Sequence, residues 1–253
     1  MMLNQVPERP WHSLRRRLME RRHTALLVAI ILLFLVRPSI GDAGAGPMLF
    51  SAALVLLLVV ALYTIQVDEL TGERDTLLAQ RRTRTILGWA LAVPAVIERI
   101  AIFIVPNAEL YITGTILWLL FIAYVTWSQL RSVLKQREVT SETISMSISV
   151  YLLLGLTWGL FYIVLSQLQA NAFSLGTTTQ GPAARADKLG LFPLLVYFSL
   201  TTLSTIGFGD ITPLTLQARY AAVAEGITGQ FYLAILVARL VGLQMSQSAK
   251  GPN

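Results

Sequence analysis

Long apolar stretches recur along almost the whole chain, and they constrain the fold more than any other feature. About 20 apolar residues in a helix cross the hydrocarbon core of a bilayer. Only 13% of the residues are charged and 55% are hydrophobic, which leaves too few charges to cover a soluble core. The sequence therefore predicts an all-α membrane protein with six spans, at Thr24–Val36, Met48–Val67, Ile86–Val105, Leu110–Leu130, Ile144–Leu168 and Pro213–Met245.

A further apolar stretch, Leu189–Leu203, is too short to cross a bilayer. We expect it to form a re-entrant helix, which is tolerated in a membrane only where protein or water surrounds its ends. The loop that follows it, TIGFGD at 205–210, carries two glycines in alternation with Ile206 and Phe208. Glycine at every second position can turn successive carbonyls in one direction, because glycine accepts left-handed dihedrals at little steric cost.

The basic residues predict the orientation of the spans. The formal net charge is +6, but the basic residues form short clusters beside apolar runs, such as RRRLMERRH and QRRTRT. This pattern orients helices in a bilayer, so we expect no nucleic-acid partner. The positive-inside rule places the N-terminus, the loops after the second and fourth spans and the C-terminus in the cytoplasm. A cleaved signal peptide is the alternative for the first span, because small residues (DAGAG) follow a short apolar run.

The segment TLSTIGFGDITP resembles the filter signature of potassium channels. Together with YFSL before it and RYAAVAEGITGQFYLAILVARLVG after it, it resembles the two-helix pore module of bacterial members, over roughly residues 145–245. In that family four such loops form stacked rings of carbonyl oxygens that replace the water around an ion. The resemblance implies potassium ions at Thr205, Ile206, Gly207 and Phe208, with Gly209 at the outer mouth of the filter.

The resemblance also implies residues that support the filter. Asp210 lies behind the outer mouth, and Tyr197 and Phe198 occupy the positions of an aromatic cuff on the pore helix. Thr201 replaces the acid with which some bacterial channels brace the outer aspartate. That brace is therefore in doubt here.

Three residues of the last span are candidates for gating. The family's hinge glycine falls on Gly229, and Gly226 lies one turn earlier, although both glycines could equally serve close helix packing. Glu225 is a lone acid inside the span, where an ionisable residue is a functional hypothesis by default. We expect it to be hydrogen-bonded to Thr201 or Thr202, and the alternative is a charge that tunes gating or attracts cations.

The four helices before the pore resemble a voltage sensor that has lost its charges. A sensor needs an arginine at every third residue of its fourth helix, whereas LYITGTILWLLFIAYVTWSQL has none before Arg131. Steep voltage gating is therefore not expected. Glu98 and Arg99 are adjacent and point about 100° apart on a helix, so they do not face each other, and one or both are expected to pair with other groups within this domain. The expected divisions are a basic N-terminus (1–23), a four-helix domain (24–130), a linker (131–143), the pore domain (144–245) and a short cytoplasmic tail (246–253).

These features predict a homotetrameric, potassium-selective channel of a bacterial inner membrane. Conduction is passive, so no catalysis is expected, and the only bound groups expected are potassium ions and surrounding lipid. Neither cysteine nor a metal-ligand constellation occurs, which excludes disulfides and thiolate metal sites. The alternatives are a weakly selective cation channel, a membrane subunit of a potassium transporter and a non-conducting regulatory membrane subunit.

Overall fold

A computed structural model describes residues 22–40, 46–71, 78–104, 108–175 and 191–249. Within these ranges the chain forms seven helices and two strands of two residues each. Many of the basic residues that predict the orientation of the spans lie outside the described side chains. They include the basic residues from Arg9 to Arg21 and from Arg74 to Arg84, and also Arg99, Arg185 and Lys188. The elements are α1 (Arg22–Ile40), α2 (Gly46–Thr71), α3 (Leu78–Ile104), α4 (Ala108–Lys135), α5 (Ser141–Leu168), β1 (Phe173–Ser174), α6 (Leu191–Leu203), β2 (Thr212–Pro213) and α7 (Leu216–Ala249).

Four of these helices are long and apolar enough to cross a membrane, in the described part of the chain. The helices α1 and α3 carry shorter apolar stretches, Arg22–Val36 and Thr85–Glu98, and α3 contains Pro94. The predicted all-α membrane fold is confirmed, whereas six spans and a re-entrant α6 stay predictions. The four candidate spans are Met48–Val67, Leu110–Lys135, Ser141–Leu168 and Leu216–Ser248.

The connection between α4 and α5 is shorter than the expected linker of residues 131–143. The helix α4 continues to Lys135, and Arg131 lies over the ring of Trp127 at 5.8 Å from its centroid. Lys135 is a cation in the last turn, where it suits the negative end of the helix. The helix α5 then starts at Ser141, because Thr140 and Thr143 form a reciprocal capping box at its N-terminus.

The helix α5 is the centre of the packing. It lies against α1, α4 and α6, and α6 in turn packs against α7. One continuous hydrophobic core joins these helices, since the side chains of Leu26 in α1, Phe121 in α4 and Leu195 in α6 are all fully buried within it. The helices α1 to α4 therefore share a core with α5 and α6.

A single carboxylate ties the start of α1 to the start of α5. Glu142 accepts hydrogen bonds from the backbone N–H of His23 at 3.2 Å and from the hydroxyl of Thr24 at 2.6 Å. The first N–H groups of a helix have no partner within it, and a negative charge there is favourable. The two helix starts therefore lie side by side at one end of the molecule.

Candidate functional site

The loop after α6 has an unusual backbone. The φ angle is positive at every second residue, with values of 60° at Thr205, 53° at Gly207 and 79° at Gly209. The only other positive φ in the described part of the chain is at Asn171. Glycine adopts this conformation freely, but a β-branched threonine is strained in it. Such strain persists only where the surrounding structure enforces it, and it concentrates at functional sites.

The end of α6 holds this loop through backbone hydrogen bonds. The N–H groups of Ile206 and Gly207 donate to the carbonyl of Thr201 at 2.9 and 3.1 Å, and the N–H of Thr205 donates to the carbonyl of Thr202 at 3.0 Å. The last carbonyls of a helix have no partner within it, so the loop satisfies them. The first N–H groups of the loop are therefore hydrogen-bonded to carbonyl groups of the helix. An alternation of backbone handedness turns successive carbonyls to one side.

Tyr197 supports the outer part of the loop. Its ring stacks on that of Phe208, with centroids 6.3 Å apart and an interplanar angle of 2°. Its hydroxyl donates to Asp210 at 2.9 Å. The hydroxyl of Thr201 instead donates to the carbonyl of Phe198 at 2.9 Å, so the brace on the aspartate comes from a residue that the sequence analysis assigned only to the aromatic cuff.

Phe198 lies away from the loop, unlike its expected place in the cuff. Its ring packs against Tyr162 of α5 at 5.2 Å and against Phe173 of β1 at 5.4 Å, measured between centroids. The reason is helical geometry, because consecutive residues project about 100° apart. Of the two expected cuff residues, Tyr197 contacts the loop and Phe198 joins α6 to α5.

Glu225 is fully buried where α5, α6 and α7 meet. Its carboxylate accepts a hydrogen bond from the hydroxyl of Tyr162 at 2.6 Å and a short one from the hydroxyl of Ser199. The hydroxyl of Ser199 is also 2.7 Å from the carbonyl oxygen of Gly155. The expectation that Thr201 or Thr202 would hold Glu225 is therefore corrected, because Ser199 occupies the face of α6 that is turned towards α5 and α7.

Sequence analysis missed Tyr162 and Ser199 as partners of Glu225. Each is a hydroxyl within an otherwise apolar helix. A buried hydroxyl needs a hydrogen-bond partner. A hydroxyl in an apolar helix is therefore the sequence signal that could have indicated a partner for Glu225. Which hydroxyl reaches the carboxylate depends on helix rotation, which composition and spacing do not determine.

The two glycines of α7 differ in their surroundings. A Cβ added to Gly229 would collide with the backbone carbonyl oxygen of Leu203 and would lie 3.1 Å from its carbonyl carbon. A Cβ added to Gly226 would meet nothing closer than the carbonyl oxygen of Thr202, at 3.9 Å. Gly229 therefore lets α7 approach the end of α6, directly beneath the loop.

The chain leaving the loop is fixed to the end of α5. The strands β1 and β2 pair antiparallel, with Phe173 opposite Pro213 and Ser174 opposite Thr212. The N–H of Leu214 adds a hydrogen bond of 2.8 Å to the carbonyl of Ala172. The loop is thus held at both ends, by α6 before it and by this pair of strands after it.

One apolar face of α7 is uncovered in the single chain. Tyr220, Val223, Ile227 and Phe231 follow one another at helical spacing and are 50–70% exposed. We call these four residues the α7 stripe. Ile206 and Phe208 of the loop are similarly exposed, at 58% and 68%. Among the described residues, no group of three or more histidine, cysteine or acidic side chains could hold a metal ion.

Residues 148–243 match a family model described as an ion channel. Protein LctB of Bacillus caldotenax is 29% identical over 104 residues, which are 41% of this chain and 74% of that protein. Protein LctB of Geobacillus stearothermophilus is 33% identical over 81 residues, which are 32% of this chain and 59% of that protein.

A viral protein is a third relative. Potassium channel protein kcv of Paramecium bursaria Chlorella virus 1 is 32% identical over 77 residues, which are 30% of this chain and 82% of that protein. No solved structure matches the chain. With the family model over α5 to α7 and a relative matched over most of its length, this chain belongs to the ion channel family.

Proposed function

We propose that the protein is a potassium-selective channel whose filter is the loop Thr205–Gly209. The observation that carries this proposal is the positive φ at alternate residues of that loop. It turns successive carbonyls to one side, while the N–H groups of Ile206 and Gly207 are bonded to α6. Carbonyl oxygens so presented replace the hydration shell of a cation.

Potassium is the ion that the sequence of the loop favours. The residues proposed to bind it are Thr205, Ile206, Gly207 and Phe208, and the first adds a hydroxyl to its carbonyl. A relative that is 32% identical over 77 residues is named a potassium channel. The stacking of Phe208 on Tyr197 supports a filter whose aromatic side chain faces away from the ions.

The proposed assembly is a homotetramer. Each chain supplies one filter strand, and closed rings of oxygens around an axis require four. The α7 stripe and the side chains of Ile206 and Phe208 are apolar groups that a single chain leaves uncovered. Neighbouring copies around a pore would cover the outer part of this surface, and the rest would face the conduction pathway.

We also propose that the channel lies in a bacterial inner membrane, with both termini in the cytoplasm. The hydrogen bonds that Glu142 accepts from the start of α1 support this arrangement, because they bring together two helix starts that this orientation assigns to the same side. The guanidinium of Arg239, in the last part of α7, donates to the carbonyl of Gln136 at 2.8 Å. That contact links the inner helix to the short α4–α5 connection on the same side.

The function can be tested with purified protein in liposomes loaded with potassium and, for comparison, in liposomes loaded with sodium. We expect potassium efflux to exceed sodium efflux greatly, and barium, a divalent ion close to potassium in size, to block it. Efflux of both ions at similar rates would favour the weakly selective cation channel instead. Lack of efflux of either ion, from protein that still assembles, would favour a regulatory subunit.

A further inference from the structure

One face of α4 changes from apolar to basic towards the end of the helix. Ile116, Leu120 and Trp127 are 37%, 49% and 59% exposed. Arg131 and Lys135 follow Trp127 at intervals of four residues and are also exposed. Residues at such spacing share one face of a helix, and we call these five residues the α4 face. Because α4 is a candidate membrane span, the uncovered apolar part of this face is suited to lipid tails.

Trp127 positions the guanidinium of Arg131. The guanidinium carbon lies over the indole ring, 5.8 Å from its centroid, which is a cation–π contact. Tryptophan concentrates at the interfaces between membrane and water, and an arginine near the end of a span reaches towards the headgroups. The contact therefore holds a cation, with donors arranged to match a phosphate, at the end of the span where lipid phosphates are expected.

The two cations of the α4 face have no anionic partner in the described part of the chain. Arg219 and Arg239 of α7 each donate to a backbone carbonyl, at 3.3 and 2.8 Å. Among the described residues, by contrast, the side chains of Arg131 and Lys135 form neither a salt bridge nor a hydrogen bond. Both charges are therefore available to an external anion.

The acid nearest in sequence leaves this face positive. Glu138 follows the end of α4 and is exposed, and its neighbour Arg137 is exposed too. Their opposite charges offset each other, so that Arg131 and Lys135 remain as a net positive charge at the end of the span.

We propose that the α4 face binds an anionic phospholipid. The guanidinium of Arg131 donates to the lipid phosphate, the ammonium of Lys135 adds a second positive charge, and an acyl chain follows Leu120 and Ile116. A guanidinium matches the geometry of phosphate oxygens, and hydrogen bonds between charged groups are the strong ones. A zwitterionic phospholipid carries its own ammonium group, which the same two cations repel. The net charge of the headgroup therefore determines which lipid binds.

The bound lipid lies next to the contact between the α4–α5 connection and α7. Lys135 is the last residue of α4, and the carbonyl of Gln136 accepts the hydrogen bond from Arg239 of α7. A headgroup on Lys135 therefore restrains the chain one residue before this contact. The proposal concerns lipid binding and does not depend on which ion the loop conducts.

The test is native mass spectrometry of the full-length protein in detergent, titrated with phosphatidylglycerol or with phosphatidylcholine of the same acyl chains. We expect phosphatidylglycerol to bind more tightly. Arg131→Gln and Lys135→Gln should each lower its affinity about fivefold, because one cation beside anionic lipid is worth about that factor. Both variants should leave phosphatidylcholine binding unchanged. Arg219→Gln, which removes an exposed cation from α7, is the matched control and should change neither affinity.

Two tryptophan variants and a soluble phosphate test the rest of the α4 face. Trp127→Leu should weaken the binding of phosphatidylglycerol, because Arg131 loses the ring that positions it. Trp89→Leu should not weaken it, since Trp89 is 47% exposed on α3 but has no basic residue within four residues of it. Glycerol 1-phosphate, which offers the phosphate without acyl chains, should not displace the lipid.

The proposal is overturned if the two lipids bind equally, or if either Arg131→Gln or Lys135→Gln leaves the affinity for phosphatidylglycerol unchanged. It is also overturned if Arg219→Gln weakens binding as much as Arg131→Gln, which would show a general effect of charge, or if Trp127→Leu behaves like Trp89→Leu. Displacement of the lipid by glycerol 1-phosphate would identify a site for a soluble anion instead. All the substituted side chains are exposed, and the mass of the intact assembly in the same spectra shows that each variant has folded.

Discussion

At the scale of single residues, the contacts of Glu225 favour bracing over a role for its charge. Ser199 has one hydroxyl hydrogen but lies within hydrogen-bond distance of two acceptors, Glu225 and the carbonyl of Gly155. A glutamine at 225 would donate to Ser199, which frees the serine hydrogen for Gly155, and its amide oxygen would still accept from Tyr162. The bracing interpretation therefore requires shape and hydrogen bonds but no charge.

Glu225→Gln should keep both potassium flux and the melting temperature of the tetramer close to those of the wild type. Glu225→Ala should lower stability clearly, since each buried hydroxyl left unpaired costs about 1–3 kcal/mol. Tyr162→Phe, which removes one of the two donors, should have a smaller effect. A Glu225→Gln protein that melts like the wild type yet conducts poorly would show that the charge itself is needed.

Gly207→Ala should abolish flux and leave the tetramer assembled. With φ at 53°, a Cβ at this position forces a strained backbone, which costs about 1–3 kcal/mol in each strand of the proposed tetramer. Gly242→Ala is the matched control, because a Cβ there meets nothing within 4 Å and its backbone needs no positive φ. Normal flux in Gly207→Ala would contradict the assignment of this loop as the filter.

At the scale of helices, the approach of α7 to the end of α6 distinguishes packing from hinging. Gly229→Ala should lower the melting temperature of the tetramer, because the new Cβ collides with backbone that carries the filter. Gly226→Ala, one turn away, should be nearly neutral for stability. Calorimetry or gel-based melting of the two variants measures the difference. Equal stability of both, with gating altered only in Gly229→Ala, would instead identify a hinge.

Apolar length and the pattern of glycines made the helices and the loop predictable from the sequence. The helix before the loop was expected at Leu189–Leu203 and begins at Leu191. The left-handed backbone of Thr205 is not predictable from its residue type, because only glycine adopts a positive φ at little steric cost. The partners of Glu225 and the direction of Phe198 depend on how α5, α6 and α7 are rotated against one another, which is a property of tertiary packing rather than of local sequence.

At the scale of the whole molecule, the helices α1 to α4 are packing partners of α5 and α6, and we expect them to carry no gating charge. They share one core with α5 and α6, and α4 has no basic residue before Arg131. Open probability should therefore change little between about −100 and +100 mV, since each elementary charge moved is worth about 2.3 kcal/mol per 100 mV. A steep dependence in single-channel recordings would require a charge carrier in another element.

The central claim, that this loop selects potassium, is tested most directly by the reversal potential of single channels in planar bilayers, with potassium on one side and sodium on the other. The account predicts that current is carried by potassium alone, so that the reversal potential lies far from zero in the direction set by the potassium gradient. A reversal potential near zero, from channels that Gly207→Ala silences, would show that the loop conducts without selecting potassium and would contradict the account.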